Sequence, residues 1–250
     1  MNTDLQTLQQ FLSKLNQFSA TVRSRKIESD QTSCKNIFNK IIEIQGKIEK
    51  YQRENATDFN VFNILRYGHY ETRLHTPFLF SLLHPEGTHQ LGFRFVEIVL
   101  SDCLEKPIKA EFIRNYRIVE EHTTQIHGRI DLFLIFDYDQ QSYALAIENK
   151  INAIDQPNQL MNYYNYMNEC YGKKATKKLI YLTKGGKYPS TTSLCNYLLN
   201  EYLKDGVLVL KSYKCNVNSW IDQLLETKPS ARIKYILQQY QQTINQFGYE

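Results

Sequence analysis

The order of the predicted elements places this chain of 250 residues in the α/β class, with a mixed β-sheet flanked by helices. Two mainly apolar runs, residues 129–136 and 143–151, are separated by a short polar stretch and predict two antiparallel strands joined by a hairpin. A helix is expected next, at about 156–171, followed by a strand at 178–183. A helix between two strands is the usual crossover to a parallel strand, so the sheet should contain both strand directions.

Predicted helices precede and follow this core. A helix at about 71–83, a second helix at about 91–104 and a strand at 116–121 come before the hairpin. The core therefore has the order helix, three strands, helix and strand (αβββαβ). Residues 186–250 are expected to form a C-terminal extension made mainly of helices.

The first 55 residues form a predicted helical arm ahead of the main domain. Apolar side chains recur at helical spacing on both sides of a polar stretch at 28–33, which predicts two helices joined as a hairpin. Each helix carries one narrow apolar stripe, a pattern typical of an arm that packs on a partner. We expect this arm to mediate a homodimer or to dock a partner protein. The main domain then covers residues 56–250, with its core at about 60–185.

Composition favours a cytoplasmic protein and leaves the ligand class open. The five cysteines are odd in number and scattered, as expected for reduced thiols. No apolar run reaches the length of a membrane span and the N-terminus lacks a signal-peptide pattern, so no membrane contact is expected. The net charge of +4 does not identify a nucleic-acid binder, but residues 171–214 hold nine lysines against two acidic residues. This local excess predicts either a surface that contacts phosphates or an ordinary solvated surface.

Charged residues interrupt the apolar hairpin at one end. Asp131 lies near the start of the first strand, and Glu148 and Lys150 lie near the end of the second. Because side chains alternate between the two faces of a strand, Glu148 and Lys150 share a face, and the hairpin brings Asp131 near them. Charged groups at a buried strand end cost free energy unless they are paired or bind a metal. Two carboxylates suit Mg²⁺, and a lysine beside them can activate water for phosphodiester hydrolysis.

The same residues carry a resemblance to a known family. Asp131, a gap of sixteen residues and then Glu148-Asn149-Lys150 resemble the motif of the PD-(D/E)XK nuclease superfamily, whose fold is restriction-endonuclease-like. Residues 156–163, with the pattern Q-x-x-Q-L-x-x-Y, resemble the helix that follows the catalytic strand in many members. Residues 69–95 resemble the upstream helix and turn of a bacterial branch. The resemblance covers about residues 60–185.

This resemblance implies a nuclease that depends on Mg²⁺ or Mn²⁺. It assigns metal binding to Asp131 and Glu148, with the carbonyl of Asn149 as a further ligand. It assigns to Lys150 the positioning or activation of water, and to Gln159 the support of that lysine or of a phosphate. DNA is the substrate that the resemblance implies first, with RNA as the alternative. A role in bacterial defence against phage or foreign DNA would follow from it too.

The resemblance leaves open which further acidic residue completes the site. An acidic residue on the first core helix often reaches the metal in related proteins, and Glu71 matches it. Its alternative role is to stabilise the N-terminus of that helix. Glu121 and Glu120, on the strand before the hairpin, compete for the place at the metal. One position departs from the motif, since Ile130 stands where many members have proline.

Two other interpretations stay open. The first is a non-catalytic nucleic-acid-binding or interaction module that keeps the nuclease fold, although the intact Asp, Glu and Lys argue against it. The second is a zinc site among four nearby histidines, whose spacing matches no zinc motif. One of the four, His75, matches a histidine of the related helix that either touches the phosphate or braces the fold. The four histidines are His69, His75, His84 and His89.

Overall fold

The structure is a computed structural model of the chain, and it describes residues 2–56, 59–66, 68 and 70–248. His69, one of the four histidines considered above, lies outside the described residues, as do most side chains of the first predicted apolar stripe of the arm. The chain divides into two compact units, Met1–Phe59 and Asn60–Glu250.

In the first unit, one helix replaces the predicted hairpin of two. Helix α1 runs without interruption over Asn2–Asn55, so the predicted break at 28–33 is wrong. That stretch, Glu-Ser-Asp-Gln-Thr-Ser, contains no glycine or proline. Its polar residues each cost at most about 0.7 kcal/mol relative to alanine in a helix interior, which is too little to end a helix that both flanks favour. The second predicted apolar stripe is exposed on this helix and consists of Ile37, Ile41, Ile44, Ile48 and Tyr51.

The second unit is built on a mixed five-stranded sheet flanked by helices, as the sequence predicts. The strands are β1 Arg114–Thr123, β2 Arg129–Tyr138, β3 Gln141–Lys150, β4 Thr176–Thr183 and β5 Leu208–Ser212. Their order in the sheet follows the chain. Strands β1, β2 and β3 are antiparallel, whereas β4 and β5 run parallel to β3.

Helices of this unit lie before, between and after the strands. Their bounds are α2 Val61–Ile64, a π-helical turn Glu71–His75, α3 Thr76–Leu83, α4 Arg94–Leu104, a 3₁₀ turn Ala110–Phe112, α5 Gln159–Tyr171, α6 Asn196–Lys204, a second π-helical turn Tyr213–Val217, α7 Asn218–Glu226 and α8 Ala231–Asn245. Helix α5 connects β3 to β4, and α6 connects β4 to β5. Across the described ranges, we find no helix with the length and apolar character needed to cross a membrane.

A two-residue turn fixes the register of β2 against β3. Asp139 and Gln140 both have positive φ angles, 50° and 62°. Two consecutive positive φ angles are those of a type I′ turn, whose twist matches that of the strands it joins. The turn sets the pairing so that Leu132 lies opposite Ile147.

Two hydrophobic cores lie on opposite faces of the sheet. The first contains Leu134 and Leu145 and is closed by α3, α4, α7 and α8. The second contains Phe133 and Ala146 and is closed by α5 and α6. Because β3 is covered on both faces, its residues 143–150 are all buried, including the charged residues at its end.

Candidate active site

Three charged residues predicted from the sequence meet where the end of β3 borders β2. The hairpin register, continued by one position, puts Asp131 beside Glu148. Glu148 and Lys150 share one face of β3, as strand alternation predicts, and Lys150 Nζ lies 2.8 Å from Glu148 Oε1. The three side chains are nearly enclosed, with exposed fractions of 8% for Asp131, 2% for Glu148 and 9% for Lys150. Groups so poorly hydrated must satisfy one another or a bound ion.

Helix α5 holds both oxygens of Glu148. Gln159 Nε2 donates to Glu148 Oε1 at 2.7 Å, and the Tyr163 hydroxyl lies 3.0 Å from Oε2. Gln159 also donates to the Tyr163 oxygen at 3.0 Å. Gln159 thus contacts the predicted metal ligand directly. Tyr163 was not predicted as a site residue, although its place four residues after Gln159 puts both side chains on one face of the helix.

Asp131 is the point where the negative charges converge. Its Oδ2 accepts a hydrogen bond from the backbone N–H of Asn149 at 2.8 Å. Burial, the Glu148 carboxylate and Glu121 raise the pKa of Asp131, whereas the Asn149 N–H and Lys150 lower it, and the net result is a rise from 3.8 to about 8. Burial also raises the pKa of Glu148, although Lys150 lowers it. Burial thus disfavours the charged form of both carboxyls, and a bound cation would favour it.

Glu121 brings a third carboxylate to this region from β1. The pairs on either side of it place Glu121 opposite Asp131 in the β1–β2 register. Arg129 compensates its charge, since Arg129 Nε lies 2.6 Å from Glu121 Oε2. The other acidic candidate on this strand, Glu120, is exposed. Of the two, Glu121 therefore lies closer to the predicted metal ligands.

The donor set fits a hard divalent cation. In the part of the chain that the structure describes, no group of three or more His, Cys, Asp or Glu side chains is arranged to hold a metal. The protein's own share would consist of Asp131, Glu148 and backbone oxygen. Mg²⁺ is usually bound by one or two carboxylates and completes its shell with water and substrate phosphates. Two adjacent buried carboxylates with raised pKa values meet this description.

Glu71 lies against the loop that follows β3. Its Oε1 accepts hydrogen bonds from the N–H groups of Ile151, Asn152 and Ala153 at 2.8, 2.6 and 2.8 Å. Burial raises the pKa of Glu71, but these N–H groups lower it more, so that the net pKa lies below its ordinary value. The charged carboxylate therefore fixes the backbone directly after Lys150.

Asn149 turns its side chain away from the charged residues, into the first core. Its Nδ2 donates to Thr76 Oγ1 at 3.1 Å, and its Oδ1 accepts from the Tyr213 hydroxyl at 2.9 Å. These bonds tie the end of β3 to α3 and to the turn after β5. The backbone carbonyl of Asn149 remains the predicted further ligand.

Two histidines of the upstream segment, His75 and His89, brace the fold. Fully buried His75 lies 2.8 Å from the Tyr240 hydroxyl through Nδ1 and 3.0 Å from the Gly68 carbonyl through Nε2. His89 Nε2 lies 2.8 Å from the carbonyl oxygen of Ser81. Of the two roles considered for His75, the bracing role agrees with these contacts.

The lysines of residues 171–214 serve different purposes. Lys211 forms a buried ion pair with Asp102 at 2.9 Å. Two others donate to backbone carbonyl groups, Lys177 and Lys178. Three further lysines line open cavities, of which one also contains Lys150, and these are Lys184, Lys187 and Lys214.

A family model described as the PD-(D/E)XK nuclease superfamily matches residues 59–247. Since this match covers well over half of the chain, the protein belongs to the PD-(D/E)XK nuclease superfamily. Nucleases of this superfamily generally use divalent metals, and membership points to phosphodiester hydrolysis.

Comparison with curated proteins finds no significant match. Among solved structures, the chain is similar to that of a protein of unknown function, AF1548, with 15% sequence identity over 62% of this chain and 99% of the other. The TM-score of 0.21 is too low for this similarity to carry an argument about fold or function.

Proposed function

We propose that this protein is a metal-dependent nuclease that hydrolyses phosphodiester bonds at the site formed by Asp131, Glu148 and Lys150. The observation that carries the proposal is the meeting of two buried carboxylates, both with raised pKa values, and one buried ammonium group. Oxygen ligands of this kind favour Mg²⁺ or Mn²⁺. Membership of the superfamily supports the same reaction class.

Asp131 and Glu148 would hold the ion, with the carbonyl of Asn149 as a further ligand. When bound, the ion would neutralise charge on the phosphate and lower the pKa of water. Gln159 and Tyr163 hold Glu148 in one orientation, so this ligand is positioned before any ion arrives.

Lys150 would act on the water and on the phosphate. Its ammonium lies 2.8 Å from Glu148 and also lines a cleft of about 250 Å³ that begins at the end of β3. We expect the scissile phosphate in this cleft. There the ammonium would orient the attacking water and stabilise the negative charge that develops on the phosphate oxygens.

We assign Glu71 a positioning role in this site. Its three hydrogen bonds fix the backbone of residues 151–153, and these residues line the same cleft as Lys150. A rigid wall at this point would keep the phosphate close to the ammonium.

DNA is the substrate that we propose, with RNA as the alternative; the resemblance of the motifs supports this choice, and a role in bacterial defence would follow from the same resemblance. All five cysteines are free, which supports the proposed cytoplasmic location.

The exposed stripe of α1 supports a homodimer or a partner protein docked through the N-terminal unit. Light scattering on the full chain and on a chain lacking residues 1–55 tests this last point, and an unchanged state of association would count against it.

Cleavage of a mixed substrate panel tests the nuclease proposal. Linear duplex, plasmid, single-stranded DNA and RNA are incubated with the protein in Mg²⁺, Mn²⁺ or EDTA. We expect cleavage of DNA that requires the metal and disappears in Lys150→Ala, while a control at an exposed lysine outside the site, Lys173→Ala, cleaves normally. Cleavage that persists in EDTA or in Lys150→Ala would refute the assignment.

A further inference from the structure

Three parallel strands end side by side next to the charged site. Lys150 at the end of β3 pairs with Thr183 at the end of β4, and Thr183 pairs with Ser212 at the end of β5. In open sheets, ligands bind outside the carboxyl ends of parallel strands, where the loops diverge. The loops that follow these strands line two cavities in this protein.

The first cavity is the cleft that contains Lys150. It measures about 250 Å³, and its outer wall includes Tyr188, whose side chain is 64% exposed. The second cavity, which we call the lysine pocket, measures about 420 Å³. It is lined by Lys184, Gly185, Lys187, Lys214, Ile244, Asn245, Phe247 and Gly248.

The two cavities share two lysines. Lys184 and Lys187 line both of them, so the cleft at Lys150 and the lysine pocket are neighbours. Among the residues that the structure describes, neither cavity is lined by an Asp or Glu. Several ammonium groups beside the proposed catalytic site would attract a ligand with a series of negative charges, such as a polynucleotide backbone.

The backbone holds these lysines in defined places. Thr183 Oγ1 accepts hydrogen bonds from the N–H groups of Gly186 and Lys187 at 2.8 and 2.9 Å. Gly186 has a φ of 83°, a conformation that glycine adopts without strain. The N–H of Lys214 donates to the carbonyl of Lys184 at 3.1 Å, which joins the loop after β4 to the turn after β5. The spacing of the lysines is therefore a property of the fold.

Apolar groups beside the lysines indicate which form of nucleic acid fits. The exposed Tyr188 ring faces solvent at the cleft, and Ile244 and Phe247 form part of the wall of the lysine pocket. Aromatic rings bind the faces of nucleic-acid bases by stacking, without regard to sequence. In a duplex those faces are covered by neighbouring base pairs, whereas an unpaired base offers them. Duplex DNA could contact the lysines but would leave Tyr188 without a stacking partner.

We propose that the cleft and the lysine pocket bind a segment of unpaired nucleotides, with phosphates along Lys184, Lys187 and Lys214 and a base stacked on Tyr188. This inference rests on the proposed function only in that Lys150 marks the point of cleavage. The preferred substrate is then single-stranded nucleic acid, or a locally unpaired stretch within a duplex.

Binding in EDTA tests this inference separately from catalysis. The full chain is titrated against a fluorescein-labelled 20-nucleotide single-stranded DNA, the single-stranded RNA of the same sequence, and the blunt DNA duplex, with anisotropy as the readout. We expect at least one of the two single strands to bind about tenfold more tightly than the duplex, and the comparison of the two identifies the sugar that the site prefers. Equal or tighter binding of the duplex would overturn the inference.

Paired variants separate stacking from charge. Tyr188→Ala should weaken single-strand binding about tenfold, and Tyr188→Phe should restore it. Tyr197→Ala, at another exposed tyrosine on α6, should have no effect. Lys214→Ala should lower the slope of log K against log salt by about 0.7 for a single strand, while Lys173→Ala should leave that slope unchanged. Wild-type affinity in Tyr188→Ala, or an unchanged salt slope in Lys214→Ala, would contradict the assignment.

The outcomes also separate this inference from the nuclease proposal. Single-strand binding that depends on Tyr188 and Lys214, without cleavage in any metal, would uphold the binding surface and refute the nuclease. Metal-dependent cleavage with equal binding of duplex and single strand would uphold the nuclease and refute the binding surface.

Discussion

The two sides of β3 carry opposite charges at the same edge of the sheet. Toward β2 and β1, the end of β3 faces the carboxylates of Asp131 and Glu121, next to its own Glu148. Toward β4 and β5, it faces loops whose lysines line two cavities. Lys150 lies between the two sides, bonded to Glu148 and open to the cleft. The antiparallel half of the sheet thus offers ligands for a cation, and the parallel half offers partners for phosphate.

This difference follows from how the two halves are built. A tight hairpin brings two strands side by side with fixed register, which suits a site that must hold carboxylates at short range. Parallel strands end at one edge and are followed by loops that diverge, which suits a longer surface for a substrate. The antiparallel half therefore places the carboxylates, and the parallel half provides the surface for the substrate.

Removal of one of the two carboxylates proposed to bind the metal should have the largest effect on cleavage. Asp131→Asn should lower metal-dependent cleavage by more than about 100-fold, because loss of residues that only support a metal ligand already costs about 10–100-fold. The metal-free variant should fold normally, since it lacks the buried carboxyl whose pKa is raised. Initial cleavage rates and melting curves check both statements. The control is Asp139→Asn in the hairpin turn. An equal loss of cleavage in the two variants would show that the loss does not come from the proposed metal site.

Metal should stabilise the folded protein through the same carboxylates. Binding at a hundredfold excess over Kd adds about 2.7 kcal/mol to the free energy of unfolding. The melting temperature of the wild type should therefore rise with added Mn²⁺, and that of Asp131→Asn should not. Differential scanning calorimetry with and without Mn²⁺ measures this. A rise of equal size in the variant would place the metal elsewhere.

Loss of the Glu71 charge should disturb the loop that follows Lys150 without weakening metal binding. Glu71→Gln keeps the size of the side chain but weakens its bonds to three N–H groups after Lys150. We expect cleavage to fall about tenfold, in the range of support residues, with stabilisation by Mn²⁺ retained. Glu86→Gln at an exposed position is the control. Loss of the Mn²⁺ response in Glu71→Gln would instead make Glu71 a metal ligand.

The stability of the protein should also depend on pH in the absence of metal. The folded-state pKa of Asp131 is about 8, above its ordinary value of 3.8. Its stabilising contribution is therefore fully present below about pH 4 and is lost as the pH rises toward 8. In EDTA, the melting temperature should fall more steeply between pH 5 and 8 in the wild type than in Asp131→Asn. Parallel slopes would mean that Asp131 does not titrate in this range.

Local patterns in the sequence were enough to predict the centre of the molecule. Strand alternation predicted the common face of Glu148 and Lys150, and a polar turn predicted the hairpin that brings Asp131 to them. Both depend on residues fewer than twenty positions apart. The mixed sheet and its flanking helices followed from the order of periodic segments, because a hairpin and a crossover helix leave few topologies.

Features that depend on distant parts of the chain could not be read in this way. The partners of Glu71 lie about eighty residues away, so the sequence shows its acidity but not its role in the loop. The lysine pocket gathers residues from two loops and from the end of α8. The continuity of α1 was missed for a different reason, since a polar stretch without glycine or proline is compatible with both a helix and a break.

The central claim is that Asp131 and Glu148 bind the cation, whereas the lysines after β4 and β5 contact only phosphate. Calorimetric titration of the wild type, Asp131→Asn and Lys214→Ala with Mn²⁺ tests this claim most directly. We expect the wild type and Lys214→Ala to bind Mn²⁺ equally and Asp131→Asn to lose this binding. Unchanged Mn²⁺ binding in Asp131→Asn, or lost Mn²⁺ binding in Lys214→Ala, would contradict this claim.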